Sequence, residues 1–175
     1  WSLPLFQLFC VNSHGPLVFG PTVVGFCLAD RILTSRLAVR ERVAPLAVAW
    51  LAVCAACLFT PYGLRGTLHP LELFGWIGGA EPLFGVLELQ NVGGYIARYG
   101  WQAALSDSLL WPAFAAFLLA AASFGGTRAS SIGFGFRLML FATFSWLGWQ
   151  ALRNLPFFAL VAGYVTAWNV GELWE

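Results

Sequence analysis

The chain has 175 residues, of which 59% are hydrophobic and only 10% are charged, and its mean hydropathy is +0.76. Soluble domains carry about 25% charged residues, so this composition excludes an ordinary soluble domain and predicts a protein that resides in lipid. The formal net charge is +1 and all nine basic residues are Arg, which excludes nucleic-acid binding through a strongly basic surface.

Apolar runs in chain order predict an all-α fold, a polytopic transmembrane helix bundle with five to six spans. A spanning helix needs about 20 apolar residues, so the first run, 1–12, is predicted to be the last part of a span. The chain begins at Trp1 and is therefore predicted to be a piece of a longer protein. We predict a single transmembrane domain over 1–175, with its complete spans at 16–33, 44–59, 108–124, 136–152 and 155–169.

The long connection 60–107 holds most of the polar residues and is predicted to be an outer loop. Leu64, Leu68 and Leu71 recur at helical spacing with His69 between them, which predicts a helix in the plane of the lipid headgroups. Six glycines between positions 75 and 94 then predict an irregular middle. Aromatic residues suited to the boundary between lipid and water are Trp76, Tyr95, Tyr99 and Trp101. Long loops of this kind are usually functional.

Arginines in alternate connections predict the orientation of the chain. The segment 34–42 is rich in Arg, and Arg128 and Arg137 flank a later connection; the positive-inside rule places both connections in the cytoplasm. The polar residues at 12–14, the long connection and Arg153 then share the opposite face. We therefore predict one site that is formed by groups far apart in sequence.

Each candidate residue has a structural interpretation beside the functional one. His14, close to the Asn12 carboxamide at the end of a span, binds a polar ligand or only caps the helix. Glu88, between Leu87 and Leu89, is the candidate base or metal ligand, or is a solvated loop residue. Arg153 binds a ligand or extends toward lipid headgroups.

Metal and cofactor sites are weakly indicated. His69 and Glu72 are three residues apart on the predicted interfacial helix. They form either a pair of metal ligands or the water-facing side of that helix. Cys54 and Cys57 have the spacing of a redox or zinc pair, but they lie in an Ala-rich span whose small residues favour helix packing. No metal ligand and no cofactor is assigned, and the chain contains no phosphate-binding loop or nucleophile-elbow motif.

Four short motifs, taken together, point to a family. They are Cys10-Val11-Asn12-Ser13-His14-Gly15, Thr60-Pro61-Tyr62-Gly63, Glu88-Leu89 and Arg153-Asn154-Leu155-Pro156. In this order the chain resembles bacterial polytopic membrane proteins related to GT-C type glycosyltransferases. The corresponding signatures of that group are Trp-x-Asn-x-His-Gly, Asn-Pro-Tyr-Gly, Glu-Trp and Arg-Asn-x-Pro, so Cys10 stands in the place of a Trp and Leu89 in the place of another.

The resemblance implies a GT-C-like fold and an integral, multi-pass protein of the cytoplasmic membrane that uses a polyprenyl-phosphate sugar at the outer face. It implies a catalytic acid at Glu88 and substrate contacts for Asn12, His14, Tyr62, His69, Arg153 and Asn154. A divalent cation would be held by residues outside this chain, and the chain alone is not expected to be active. The alternatives are a structural or accessory subunit that packs against partner membrane subunits and lipids, and a transporter.

Overall fold

The computed structural model describes residues 2–12, 18–34, 40–69, 89–128 and 131–174, without the side chains of 40–42. Within these residues every regular element is helical, which confirms the predicted all-α class for this part of the chain. The helices are α1 (Ser2–Asn12), α2 (Phe19–Thr34), α3 (Arg40–Ala56), α4 (63–69), α5 (Val92–Ser106), α6 (Leu110–Ser123), α7 (Phe134–Gln150) and α8 (Leu155–Gly171). Short 3-10 helices are Phe124–Gly126 and Leu152–Asn154.

A helix lies at each of the predicted spans, but the helices are short. Among the described residues, no single helix is both long and apolar enough to cross a membrane. One pair satisfies the length and composition requirements together, Val92–Ser106 with Leu110–Gly126, and the two are bent by 78°. The polytopic arrangement of these helices therefore stays a prediction.

The predicted outer loop contains more helix than its glycines suggest. Gly93 and Gly94 lie in the first turn of α5, whereas the sequence predicts irregular structure there. The Asn91 side-chain oxygen accepts a hydrogen bond from the Gly94 N–H at 2.6 Å, so it caps the helix. A Cβ at Gly93 would lie only 3.4 Å from the Trp149 ring. The cap and this close packing outweigh the low helix propensity of glycine.

The described residues form two compact units, Trp1–Gly75 and Trp76–Glu175, here called unit 1 and unit 2. In unit 1, α3 packs against both α1 and α2. The Trp50 indole N–H donates to the Pro21 carbonyl at 3.0 Å and thereby joins α3 to α2. A Cβ at Gly25 would come within 3.0 Å of that same indole nitrogen, so the close approach of the two helices requires a small residue at this position.

In unit 2, α8 packs against both α6 and α7, and the three helices alternate in direction. Asn169, near the end of α8, donates to the Ser123 hydroxyl at the end of α6 at 2.8 Å. These two helices are therefore parallel, and α7 runs antiparallel to both. Phe117 of α6, Phe141 of α7 and the buried Phe158 of α8 pack against one another, with ring centroids 5.3 to 6.4 Å apart.

Unit 2 thus has two ends, separated by the 17 residues of α8, or about 25 Å of helix. We call one of them the Arg153 end. It contains Leu152–Asn154 and the first residues of α6, and the start of α5 joins it because the Leu152 N–H donates to the Gln90 carbonyl at 3.0 Å. We call the other the Arg137 end, which contains the start of α7 and the last turn of α8.

Candidate functional site

The Arg153 end carries the exposed guanidinium that the sequence predicts as a ligand contact. Arg153 lies in the 3-10 helix Leu152–Asn154 between two apolar helices, and its side chain is exposed. Within the part of the chain that the structure describes, this guanidinium forms no ion pair and no hydrogen bond. Its charge is therefore free to interact with an anion.

Asn154, the neighbouring candidate, has a structural contact of its own. It occupies the N-cap position of α8, but its side chain does not cap that helix. Instead its amide donates to the Leu147 carbonyl in the last turn of α7 at 2.9 Å. Carbonyls at the end of a helix have no partner within the helix, so Asn154 stabilises the turn that presents Arg153.

The start of α5 adds polar groups to the same end. Gln90 accepts the Leu152 N–H through its backbone carbonyl, and its side-chain oxygen is buried without a hydrogen-bond partner among the described residues. A buried acceptor without a partner costs about 1–3 kcal/mol. The Gln90 backbone therefore joins the start of α5 to the Arg153 turn, and its side-chain oxygen is a buried acceptor.

Asp107 organises the corner between α5 and α6. One carboxylate oxygen accepts the backbone N–H groups of Leu109 at 2.8 Å and Leu110 at 3.0 Å, and the other accepts the Tyr95 hydroxyl at 3.2 Å. Partial desolvation raises the pKa of Asp107, but these three hydrogen bonds outweigh it and hold the pKa below its ordinary value. Asp107 therefore caps the start of α6 through its side chain, and it is charged near neutral pH.

In unit 1, Asn12 contacts the segment that leads from α3 to Tyr62. The Asn12 amide donates to the Leu8 carbonyl at 2.8 Å and to the Phe59 carbonyl at 3.2 Å, which attaches the end of α1 to the end of α3. Tyr62 follows three residues after Phe59 and is 76% exposed. The structure thus joins Asn12 to the residue that directly precedes the Thr60-Pro61-Tyr62-Gly63 motif.

The remaining candidates are placed less fully. His69 is exposed at the end of the described part of α4. His14 and Glu88 lie outside the described residues. The structure therefore places Asn12 with Tyr62 in unit 1, and Arg153 with Asn154 and Gln90 in unit 2. The predicted meeting of 12–14 and Glu88 with Arg153 in one pocket stays a prediction.

The Arg137 end holds a polar cluster that the sequence did not predict. Arg137 is 0% exposed, and its Nη2 atom lies 3.0 Å from both carboxylate oxygens of Glu172. The same nitrogen donates to the Ser131 hydroxyl at 2.7 Å, and the guanidinium carbon lies 5.2 Å from the centre of the Trp168 ring. The other terminal nitrogen, Nη1, is buried and has no hydrogen-bond partner among the described residues.

Glu172 supplies the negative charge that pairs with the buried Arg137. Desolvation raises the pKa of Glu172, but hydrogen bonds from Arg137 and Ser131, the Arg137 charge and the Trp168 indole together hold the pKa below its ordinary value. The positive-inside rule predicts that Arg137 marks the cytoplasmic side, whereas the structure shows its side chain buried in an ion pair. A charged residue inside an apolar run predicts a buried partner, and that signal was available in the sequence.

The described residues contain no group of three or more side chains suited to hold a metal ion. Comparison of the chain with protein-family models, with curated proteins and with solved structures finds no match in any of the three.

Proposed function

We propose that this chain is the donor-side part of a membrane-embedded, glycosyltransferase-like protein that binds a polyprenyl-phosphate sugar at the outer face of the cytoplasmic membrane. The observation that carries the proposal is the exposed guanidinium of Arg153 at the turn between α7 and α8. A guanidinium binds phosphate oxygens through two parallel hydrogen bonds. No carboxylate among the described residues neutralises Arg153, so its charge is available for a phosphate.

The surface of unit 2 supports placement in lipid. Large apolar side chains on the middle turns of its three long helices are exposed: Phe114, Leu118, Leu119, Trp146 and Leu160. Soluble monomers rarely expose large contiguous apolar patches, whereas lipid chains accommodate them. Exposed or partly exposed charged groups occur at both ends, Arg153 at one, and Arg128 with Glu172 at the other.

Under this proposal each candidate residue has a role that its side-chain chemistry allows. Arg153 binds the phosphate of the carrier lipid. Asn154 positions Arg153, because its hydrogen bond to the Leu147 carbonyl stabilises the turn. Asn12, His14, Tyr62 and His69 contact the sugar or its phosphate, and Glu88 acts as the acid. The resemblance to GT-C enzymes supports these assignments, and it also implies that a catalytic carboxylate precedes this chain in the intact protein.

Binding of the carrier tests the proposal most directly. The intact protein in lipid nanodiscs is titrated with a fluorescent polyprenyl phosphate, and Arg153→Ala is compared with Arg128→Ala, which removes an exposed arginine at the opposite end. A charge-assisted hydrogen bond contributes about 1.5–3 kcal/mol, so Arg153→Ala weakens binding at least roughly tenfold. Arg128→Ala leaves the affinity unchanged, and Arg153→Lys restores part of it. Equal affinities for wild type and Arg153→Ala overturn the proposal.

The second candidate function is a structural or accessory subunit of a membrane complex. The exposure of Trp146 and Trp149 on α7 favours it, because buried interfaces are enriched in Trp. Turnover of a polyprenyl-phosphate sugar by the intact protein separates the two functions. Absence of turnover by the intact protein, together with dissociation of the native complex in Trp146→Ala, identifies a subunit rather than an enzyme.

A further inference from the structure

We infer that α5 and the corner at Asp107 form an anchor that lies in the headgroup layer of a lipid bilayer, on the same side as Arg153. The partner is the bilayer surface: lipid phosphates for Arg98, and the upper part of the acyl chains for Trp101 and Leu105. The inference rests on the membrane placement of the proposed function, but it is independent of glycosyl transfer.

The angle between α5 and the helix that follows it indicates how α5 is oriented relative to the membrane. Val92–Ser106 and Leu110–Gly126 are bent by 78° relative to each other. The second of these helices exposes Phe114 and Leu118 along its length, so in lipid it runs along the acyl chains. The mean direction of α5, whose two halves meet at Gly100, then lies close to the membrane plane, which is the orientation of an interfacial amphipathic helix.

The outer surface of α5 has the composition of a membrane interface. Trp101 is 68% exposed, and Tyr99 and Leu105 are exposed as well. The guanidinium of Arg98, also exposed, lies 5.5 Å from the centre of the Tyr99 ring. Trp and Tyr are enriched where lipid headgroups meet acyl chains, and an arginine beside them is placed to contact phosphate.

The backbone of α5 favours the hydrated headgroup layer over the membrane interior. Gly100 breaks the helix with φ +83° and ψ 164°. Such a break leaves N–H and C=O groups without partners inside the helix, and hydrocarbon offers no water to replace those partners. A re-entrant α5 that dips into the acyl chains would pay this cost, whereas an α5 at the surface does not.

The anchor is joined directly to the candidate site. The hydrogen bond from the Leu152 N–H to the Gln90 carbonyl, 3.0 Å long, connects the start of α5 to the turn that carries Arg153. The Tyr95 to Asp107 hydrogen bond holds the other side of α5 to the start of α6. The depth of α5 in the bilayer therefore sets the depth of Arg153, and it places this guanidinium at the level of lipid phosphates.

The depth of single positions in proteoliposomes tests the inference. Nitroxide labels are placed on the intact protein at positions 101, 105 and 118, and their accessibility to oxygen and to a water-soluble nickel complex is measured. The native cysteines are replaced by Ala, at positions 10, 27, 54 and 57. We expect labels at 101 and 105 within about 5–10 Å of the headgroup boundary, and the label at 118 about 12 Å deeper, since it lies eight residues beyond Leu110 along α6.

A second measurement leaves all four cysteines in place. Quenching of tryptophan fluorescence by lipids that are brominated at a shallow or a deep acyl position is compared between wild type and Trp101→Phe. The difference reports Trp101 alone, and we expect the shallow bromines to quench it more strongly.

The possible outcomes separate the anchor from the proposed function. Labels at 101 and 105 as deep as the label at 118 identify a re-entrant segment and overturn the inference. Contact with water only at 101 and 105, with 118 in lipid, also overturns it. Contact with water at all three positions contradicts the membrane placement itself. Loss of polyprenyl-phosphate binding or turnover changes none of these depths, so the enzymatic proposal fails or stands separately.

Discussion

The Tyr95 hydroxyl and the Asp107 carboxylate, twelve residues apart in sequence, are joined by a hydrogen bond of 3.2 Å. In a straight α-helix residues at this separation lie about 18 Å apart, so the contact requires the break at Gly100. Asp107 also caps the first turn of α6. One carboxylate thus fixes both the fold of α5 and the angle at which α6 leaves it.

Removal of the Asp107 carboxylate should destabilise unit 2. Asp107→Ala leaves the N–H groups of Leu109 and Leu110 without their acceptor, and loss of a cap costs about 1–2 kcal/mol. Tyr95→Phe is the matched control, since it removes only one hydrogen bond and costs about 0.5–1.5 kcal/mol. Thermal unfolding in detergent, followed by circular dichroism, measures both. Equal melting temperatures for Asp107→Ala and wild type would contradict the capping role.

The stability of the fold should fall in acid because of Asp107 and Glu172. In both groups the folded-state pKa lies below its ordinary value, 3.8 for Asp107 and 4.5 for Glu172. The stabilisation is therefore complete above those ordinary values and is lost as the pH falls through the lower, folded-state pKa. We expect a constant melting temperature from pH 7 to about pH 5 and a decline below about pH 4. Asp107→Asn should show a shallower decline, and a decline as steep as that of wild type would exclude Asp107 as a contributor.

The Arg137 and Glu172 pair should behave as a unit. Glu172→Gln leaves a fully buried guanidinium without its counter-charge, and breaking a buried ion pair in this way costs about 3–5 kcal/mol. Arg137→Met removes the cation and leaves Glu172, which is 22% exposed and can reach water. The double variant should therefore be more stable than Glu172→Gln alone. Denaturation of the four proteins in one detergent gives the coupling free energy, and additive effects of the two changes would disprove the coupling.

Gly100 should tolerate no side chain. Its φ of +83° with ψ of 164° falls in a region that is essentially restricted to glycine, so Gly100→Ala costs about 1–3 kcal/mol. Gly163→Ala is the control, because a Cβ at this helical position of α8 meets no atom within 4 Å. That change should stabilise the helix by about 0.5–1 kcal/mol. Opposite shifts in melting temperature are expected, and a destabilising Gly163→Ala would show that the helix surface there is occupied.

Gly20 in unit 1 should be equally restricted, but for a different reason. A Cβ at this position of α2 would overlap the side-chain carbonyl of the buried Gln7 of α1. Gly20→Ala should therefore lower the melting temperature. The same change should lower it less in a protein that already carries Gln7→Ala, because the opposing side chain is then short. Absence of any recovery would mean that the two side chains do not meet.

The sequence predicted the helices better than the contacts between them. Apolar runs that end at Gly, Pro or polar turns located helices at all the predicted spans, because the length of such a run is a local property. The start of α5 was missed, since Gly93 and Gly94 weigh against a helix in any local rule. Its formation depends on the Asn91 cap and on Trp149, which lies more than fifty residues further along the chain.

The candidate site was predicted by residue type and only in part by position. Arg153 is exposed at a turn, as the sequence indicated, whereas the Asn154 amide is used within the turn itself. The ion pair between Arg137 and Glu172 was missed because 35 residues separate the partners and no pattern in the sequence gives their distance. His14 and Glu88, on which the predicted pocket also depends, lie outside the described residues.

The two helices α7 and α8, each of 17 residues, have a consequence for the membrane that would hold them. Each reaches about 25 Å, whereas the hydrocarbon core of a typical bilayer is about 30 Å thick. In the proposed placement the shortfall of about 5 Å is met by local thinning of the bilayer or by flanking side chains that extend to the interface. Such hydrophobic mismatch favours thin membranes made of short-chain lipids.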